Sequence, residues 1–165
     1  MKKSKIKTNI KGVVFFELES FDDGRGSLTE LFRHDCLDNH NFPVMAYLSE
    51  TKPNVSRGPH EHEDQSDLFF FAGPADFKLV LWEKSQQFVD LGCETQGLYR
   101  EEHIVGVSNP TGVIVPPGVI HGYKNISDVS GLVINAPNKL YAGPGKLYEV
   151  DEIRHEDEKN TDLII

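Results

Sequence analysis

Three histidines and one aspartate are the residues whose types and spacing could do chemistry. RGPHEH (57–62) carries His60 and His62 two positions apart. In an extended strand such a pair shares one face and Glu61 points away. Further along, DQSDLFFF carries Asp67 and VPPGVIHGYKN carries His121. If both segments line one barrel, three imidazoles and a carboxylate converge. An imidazole near neutrality can move a proton. The set His60, His62, Asp67 and His121 also suits a divalent metal (Zn, Fe, Mn or Ni) with positions left open. These roles compete at His60, because a metal-bound imidazole has no lone pair left for a proton. The plain alternative is a polar patch on a strand.

The elements that must position these residues are short. Apolar runs such as GVVFFEL, PVMAYLS, DLFFFAG, FKLVLWE, GVIVPPG and GLVINAP are divided by Gly, Pro, Asn and Asp. They are rich in Val, Ile, Phe and Leu, which predicts many short strands and a sandwich or barrel. DLFFFAG and FKLVLWE read as strands buried on both faces, and Pro116-Pro117-Gly118 as a turn leading into the His121 strand. Helix signals are sparse: SLTELFRHDCLDNH (27–40) offers a turn or two, and DEIRHEDE a short terminal helix. The predicted fold is all-β, a double-sheet jelly roll with one or two short helical segments, in a single domain over residues 1–165.

Composition narrows the partners. The 165 residues are 38% apolar, enough for a globular core. Net charge is −9, against general nucleic-acid binding, though one or two arginines in a cleft still serve a small phosphorylated ligand. Cys36 and Cys93 form no spacing pattern. The lysines of the first residues precede an apolar run cut by Glu17, unlike a signal peptide, and nothing reaches membrane-spanning length. The expectation is a soluble cytoplasmic protein. The acidic segment YEVDEIRHEDEKNTD reads as a solvated face, and His34, His40, His103 and His155 as surface residues.

His60-x-His62 followed by Asp67 and Gly73, with Pro116-x-Gly118-x-x-His121-x-x-x-Asn125 later, resembles the paired motifs of the cupin superfamily. A closer resemblance spans nearly the whole chain. DDGRGSLTELFR is similar to the D-x-R-G-x-x-x-E-x-F opening of dTDP-4-dehydrorhamnose 3,5-epimerases. SRGPHEH is similar to their R-G-L-H-Y-Q, and IVPPGVIHGYKN to their I-P-x-G-x-x-H-G-F. NAPNKLYAGPGK stands where they carry Y-K-x-T-x-x-Y-x-P.

The resemblance implies a cupin-fold homodimer acting on a nucleotide-linked 4-keto sugar. Protons beside the ketone leave to a histidine and return on the opposite face from a tyrosine. A lysine steadies the enolate, and an aspartate orients the histidine. Carried over by position, His60 is the base and His121 the second-motif histidine. Arg57 contacts the pyrophosphate, Arg25 and Glu30 reach nucleotide across the dimer, and Gln65 matches a glutamine of the substrate site. Two family residues are replaced: Asp67 stands where the lysine belongs and Asn135 where the tyrosine belongs. Tyr123 and Tyr141 are candidate acids, and Asp151 or Asp157 the orienting carboxylate. No cofactor is required in this reading. Its rivals are a metal-dependent cupin isomerase or dioxygenase using His60, His62, Asp67 and His121, and a sugar-binding cupin without catalysis.

Overall fold

The structure, a computed structural model, describes residues 2–84, 97–158 and 162–165. Its strands in chain order are β1 (Lys2–Lys3), β2 (Val14–Glu17), β3 (Ser20–Asp23), β4 (Gly26–Thr29), β5 (Tyr47–Thr51), β6 (Ser56–Glu61) and β7 (Asp67–Gly73), then β8 (Asp76–Glu83), β9 (Tyr99–Gly106), β10 (Thr111–Val115), β11 (Ile120–Asn125), β12 (Gly131–Asn135) and β13 (Ile153–Arg154). One sheet runs β1-β2-β10-β7-β12-β5 and the other β13-β6-β11-β8-β9, with antiparallel pairing throughout. β3 and β4 form a separate exposed hairpin. Two facing antiparallel sheets with these crossovers are the jelly roll of a cupin barrel.

The apolar runs lack polar alternation because both faces of the central strands are covered. Along β7 successive side chains alternate. Phe69 and Phe71 point between the sheets, packing with Phe77, Leu79, Leu81, Val113 and Tyr123. Leu68 and Phe70 point outward, beneath Leu31, Leu37 and Phe42. β8 behaves likewise: Phe77, Leu79 and Leu81 face inward, while Val80 and Trp82 are covered by Leu163 near the C-terminus.

The expected helical segments appear as single 3₁₀ turns. Residues 27–40 supply the end of the β3–β4 hairpin and then single 3₁₀ turns at His34–Cys36 and Asn39–Asn41. Asp, Asn and His in this segment favour turns over a continued helix. DEIRHEDE instead forms β13, paired with Glu61 and His60 of β6, followed by a 3₁₀ turn at His155–Asp157. The available sheet edge outcompetes a short polar helix. Among the described residues, no helix is long and apolar enough to cross a membrane. Cys36 is exposed, and Cys93 lies outside the described residues.

Candidate functional site

β6 and β11 run antiparallel with His60 opposite His121. Their ring centroids are 4.5 Å apart, and His62 lies 5.7 Å from His60 and 5.9 Å from His121. Asp67 opens β7 on the other sheet and points inward by the same alternation as Phe69. Its Oδ2 lies 3.1 Å from His121 Nε2 and 3.2 Å from His62 Nε2. Gln65 Nε2 donates to Asp67 Oδ1 at 2.8 Å. The outer nitrogens are tied as well. His121 Nδ1 donates to the Val119 carbonyl at 2.9 Å, and His62 Nδ1 donates to the Asp151 carbonyl.

Both rings therefore meet an acceptor at each nitrogen, and a neutral imidazole has one N–H. A cation that takes the place of the Nε2 protons satisfies this arrangement; His62 Nε2 also lies 3.2 Å from the Gln65 amide nitrogen. One donor atom from each of His60, His62, Asp67 and His121 lies within 4.8 Å of all the others, so the set fits a metal ion. Burial opposes the charge on His62, but the Asp67 carboxylate outweighs it and raises the imidazole. Burial likewise opposes ionisation of Asp67, yet the His121 and His62 N–H groups hold it well below the usual carboxylate range.

His60 differs. Among the described residues no hydrogen bond to its ring is found, and its contacts are the edges of the other two imidazoles. Burial, reinforced by His121, lowers it to about 2, so it is neutral at physiological pH. It lines a cavity of about 300 Å³ together with Tyr47, Arg57, Phe69, Tyr123 and Arg154. An adjoining cavity of about 730 Å³ shares Tyr47, Glu152 and Arg154 and adds His62, Gln65, Lys139, Tyr141 and Asp151. His60 thus faces the smaller cavity and His62 the larger, while Asp67 and His121 are buried behind them.

The remaining expected residues are sorted by the fold. Arg57 lines the His60 cavity and is braced by Thr51 Oγ1 at 2.9 Å and the Glu50 carbonyl at 2.7 Å. Asn135 is buried, its Oδ1 accepting the Leu68 N–H at 3.2 Å and its Nδ2 donating to the Tyr47 hydroxyl at 2.8 Å. Tyr123 is buried, with its hydroxyl 3.0 Å from Ser49 Oγ. Tyr141 is on the wall of the larger cavity and does not line the one that His60 faces. Arg25, paired with Asp23, stands on the exposed hairpin, and Glu30 borders a small pocket with Phe16 and Phe32. Neither lines the His60 cavity of its own chain.

Asp151 does not orient His60. Its carboxylate accepts the backbone N–H groups of Glu63, Asp64 and Gln65 at 2.7, 2.9 and 2.8 Å, and its carbonyl holds His62. Asp157 is exposed. The acidic segment is thus only partly a solvated face, since part of it folds back over β6. There His155 bridges Glu61 at 2.9 Å and Glu158 at 3.0 Å, and Lys84 meets the same Glu61 at 2.7 Å. His155 is no free surface residue, nor is His103, which pairs with Glu101 at 3.0 Å; His34, stacked on Phe42, and His40 are exposed, as expected. Tyr47 and Arg154 are the site residues absent from the sequence-based set. One sits in an ordinary strand pattern and the other in an acidic run, and neither carries a motif.

No protein-family model matches the chain. It is 30% identical over 133 residues to the probable low-salt glycan biosynthesis epimerase Agl13 of Haloferax volcanii, covering 81% of each protein. It is 32% identical over 126 residues to the spore coat polysaccharide biosynthesis protein SpsL of Bacillus subtilis, covering 76% of this chain and 78% of that protein. Among solved structures, dTDP-4-dehydrorhamnose 3,5-epimerase from Bacillus anthracis, with TDP and PPi bound, superposes with a TM-score of 0.68 at 18% identity, covering 90% of this chain and 81% of that one. The jelly roll, the histidine segments in their order and a relative aligned over most of the chain agree: this chain belongs to the dTDP-4-dehydrorhamnose 3,5-epimerase family of sugar epimerases.

Proposed function

We propose that the chain, folded as one domain, epimerises a nucleotide-linked 4-keto sugar, with His60 as the base that removes the proton beside the ketone. The observation that carries this is the placement of His60: among the described residues its ring has no hydrogen bond, and it faces a cavity whose wall carries Arg57 and Arg154 together with Glu152 and Glu156. The neighbouring imidazoles are committed at both nitrogens and cannot serve in the same way.

A conjugate acid as low as that of His60 gives little driving force for proton abstraction. A bound nucleoside diphosphate brings negative charge into the cavity and raises it. Arg57 holds that diphosphate and stabilises the enolate oxygen, the role for which the family uses a lysine, while Arg154, paired with Glu152 at 2.7 Å, adds a second guanidinium at the rim. The TDP and PPi bound in the Bacillus anthracis structure support a thymidine nucleotide here. Arg25 and Glu30, remote from their own cavity, complete the site of a partner subunit in a homodimer. The setting is carbohydrate biosynthesis in the cytoplasm.

The test is calorimetric binding of dTDP, UDP and GDP, followed by NMR of a dTDP-linked 4-keto-6-deoxy sugar incubated with the protein. Binding and inversion beside the ketone are expected. No affinity for any nucleoside diphosphate or its sugar would sink the proposal.

A second reading rests on the convergence of His60, His62, Asp67 and His121. A divalent metal held by these side chains would act as a Lewis acid on the ketone or on another small substrate. The pinned Nδ1 atoms of His62 and His121 leave their Nε2 atoms directed at one point, which favours ligation.

A further inference from the structure

Inverting a carbon beside a ketone requires a proton to leave from one face and another to arrive on the opposite face. The cavity holds one uncommitted imidazole, so the second proton needs another source. The family's tyrosine is replaced by Asn135, which has no proton of suitable acidity. Its side chain nonetheless leads to one. The Leu68 N–H needs an acceptor, and Asn135 Oδ1 supplies it at 3.2 Å. That fixes the orientation of the amide, so Nδ2 is the group that meets the Tyr47 hydroxyl at 2.8 Å.

The Tyr47 oxygen therefore accepts, and its own O–H proton remains to be given away. Tyr47 and Asn135 are register partners on β5 and β12, which explains why the phenol can stand in from the neighbouring strand. Tyr47 is half-exposed, but its hydroxyl end abuts the buried Asn135. Tyr47 lines the His60 cavity from the sheet opposite β6. A sugar between them would present one face to each. Burial, with the Asp67 carboxylate second, raises the phenol to about 12, which keeps it protonated until the enolate takes the proton.

We propose that Tyr47 is the general acid of this site, delivering a proton to the sugar carbon on the face opposite His60. The proposal rests on the epimerase reading. The C–H proton passes to His60, leaving an imidazolium and an enolate. The Tyr47 O–H proton then bonds to the same carbon from the other side, restoring the ketone and leaving a phenolate. Transfer from imidazolium to phenolate through solvent resets both groups, so the reaction consumes no net proton.

The experiment follows a dTDP-linked 4-keto-6-deoxy sugar in heavy water by NMR, reading wash-out of the proton beside the ketone separately from appearance of the inverted sugar. Dissociation constants for dTDP report whether each variant keeps its site. In Tyr47→Phe, wash-out persists because His60 still exchanges on its own face, while inversion falls about 100-fold or more. Asn135→Ala gives the same split in weaker form, since the phenol loses its anchor. Inversion by Tyr47→Phe at the wild-type rate overturns the proposal. Loss of both readouts in a variant that binds dTDP normally also overturns it, as does the split appearing in Tyr123→Phe and not in Tyr47→Phe. A wild-type protein that neither exchanges nor inverts overturns the epimerase reading itself, and the acid role with it.

Discussion

Asp67 and His121 come from opposite sheets and meet with 3.1 Å between Oδ2 and Nε2, both almost fully buried. The contact bridges the two sheets at the point where the three imidazoles gather. The same carboxylate oxygen serves His62, so one residue sets the position of two rings and leaves the third, His60, facing the cavity. Asp67→Asn keeps the shape and removes the charge. The variant should lose about 1–3 kcal/mol of stability at neutral pH in urea unfolding. Its His62 should titrate lower in NMR, because the partner that raised it has gone. Unchanged His62 titration would count against this arrangement.

Gly58 sets the His60 backbone. Its φ is +78°, and a Cβ there would lie 2.7 Å from the His121 carbonyl oxygen and 3.0 Å from His60 Nδ1. The first of these is backbone and has little room to yield. Gly118 has a similar φ of +77° but open space around the Cβ position. Gly118→Ala should therefore cost about 1 kcal/mol, the left-handed penalty alone, and Gly58→Ala about 2–3 kcal/mol with loss of epimerisation. Equal unfolding midpoints for the two variants would refute the steric argument.

Acid should weaken the fold partly through His60. Below the ordinary histidine value of 6.5 the unfolded chain takes up a proton there, whereas the native state does so only near 2. The unfolded state binds more protons across that window, so native stability falls as pH falls, by at most about 1.4 kcal/mol per unit for one such group. His62 acts in the opposite sense: raised in the fold, it adds stability that is complete below its unfolded value and lost as pH rises through its folded value. His60→Gln removes only the first contribution. Urea midpoints taken between about pH 7 and about pH 5 should decline less in the variant than in the wild type. A steeper decline in the variant would contradict a neutral His60.

Metal dependence separates the two readings of the cluster. If His60 is the base, its lone pair is not shared with a metal, and protein dialysed against EDTA should retain its epimerase rate within about twofold. Metal content of tag-free protein by mass spectrometry provides the companion reading. About one metal per chain, lost in His62→Ala together with activity and restored by added Zn, would make the metal centre primary.

Much of the site was legible because its chemistry is local in sequence. The i, i+2 spacing placed His60 and His62 on one face, and the double-sided burial of DLFFF was readable as an unbroken apolar run. What escaped depends on register and on main-chain atoms. Nothing in PVMAYLS says that Tyr47 will stand opposite Asn135, because that follows from how β5 pairs with β12. Asp151 acts on His62 through its carbonyl, which every residue type possesses. Arg154 enters the cavity because β13 finds the free edge of β6, a contact made across many intervening residues.

The most direct test of the account is incorporation of solvent deuterium beside the ketone of a dTDP-linked 4-keto-6-deoxy sugar, compared between wild type and folded His60→Asn. Rapid incorporation by the wild type is expected, with a fall of about 100-fold or more in the variant. Incorporation by His60→Asn at the wild-type rate would show that another group removes the proton, and would contradict it.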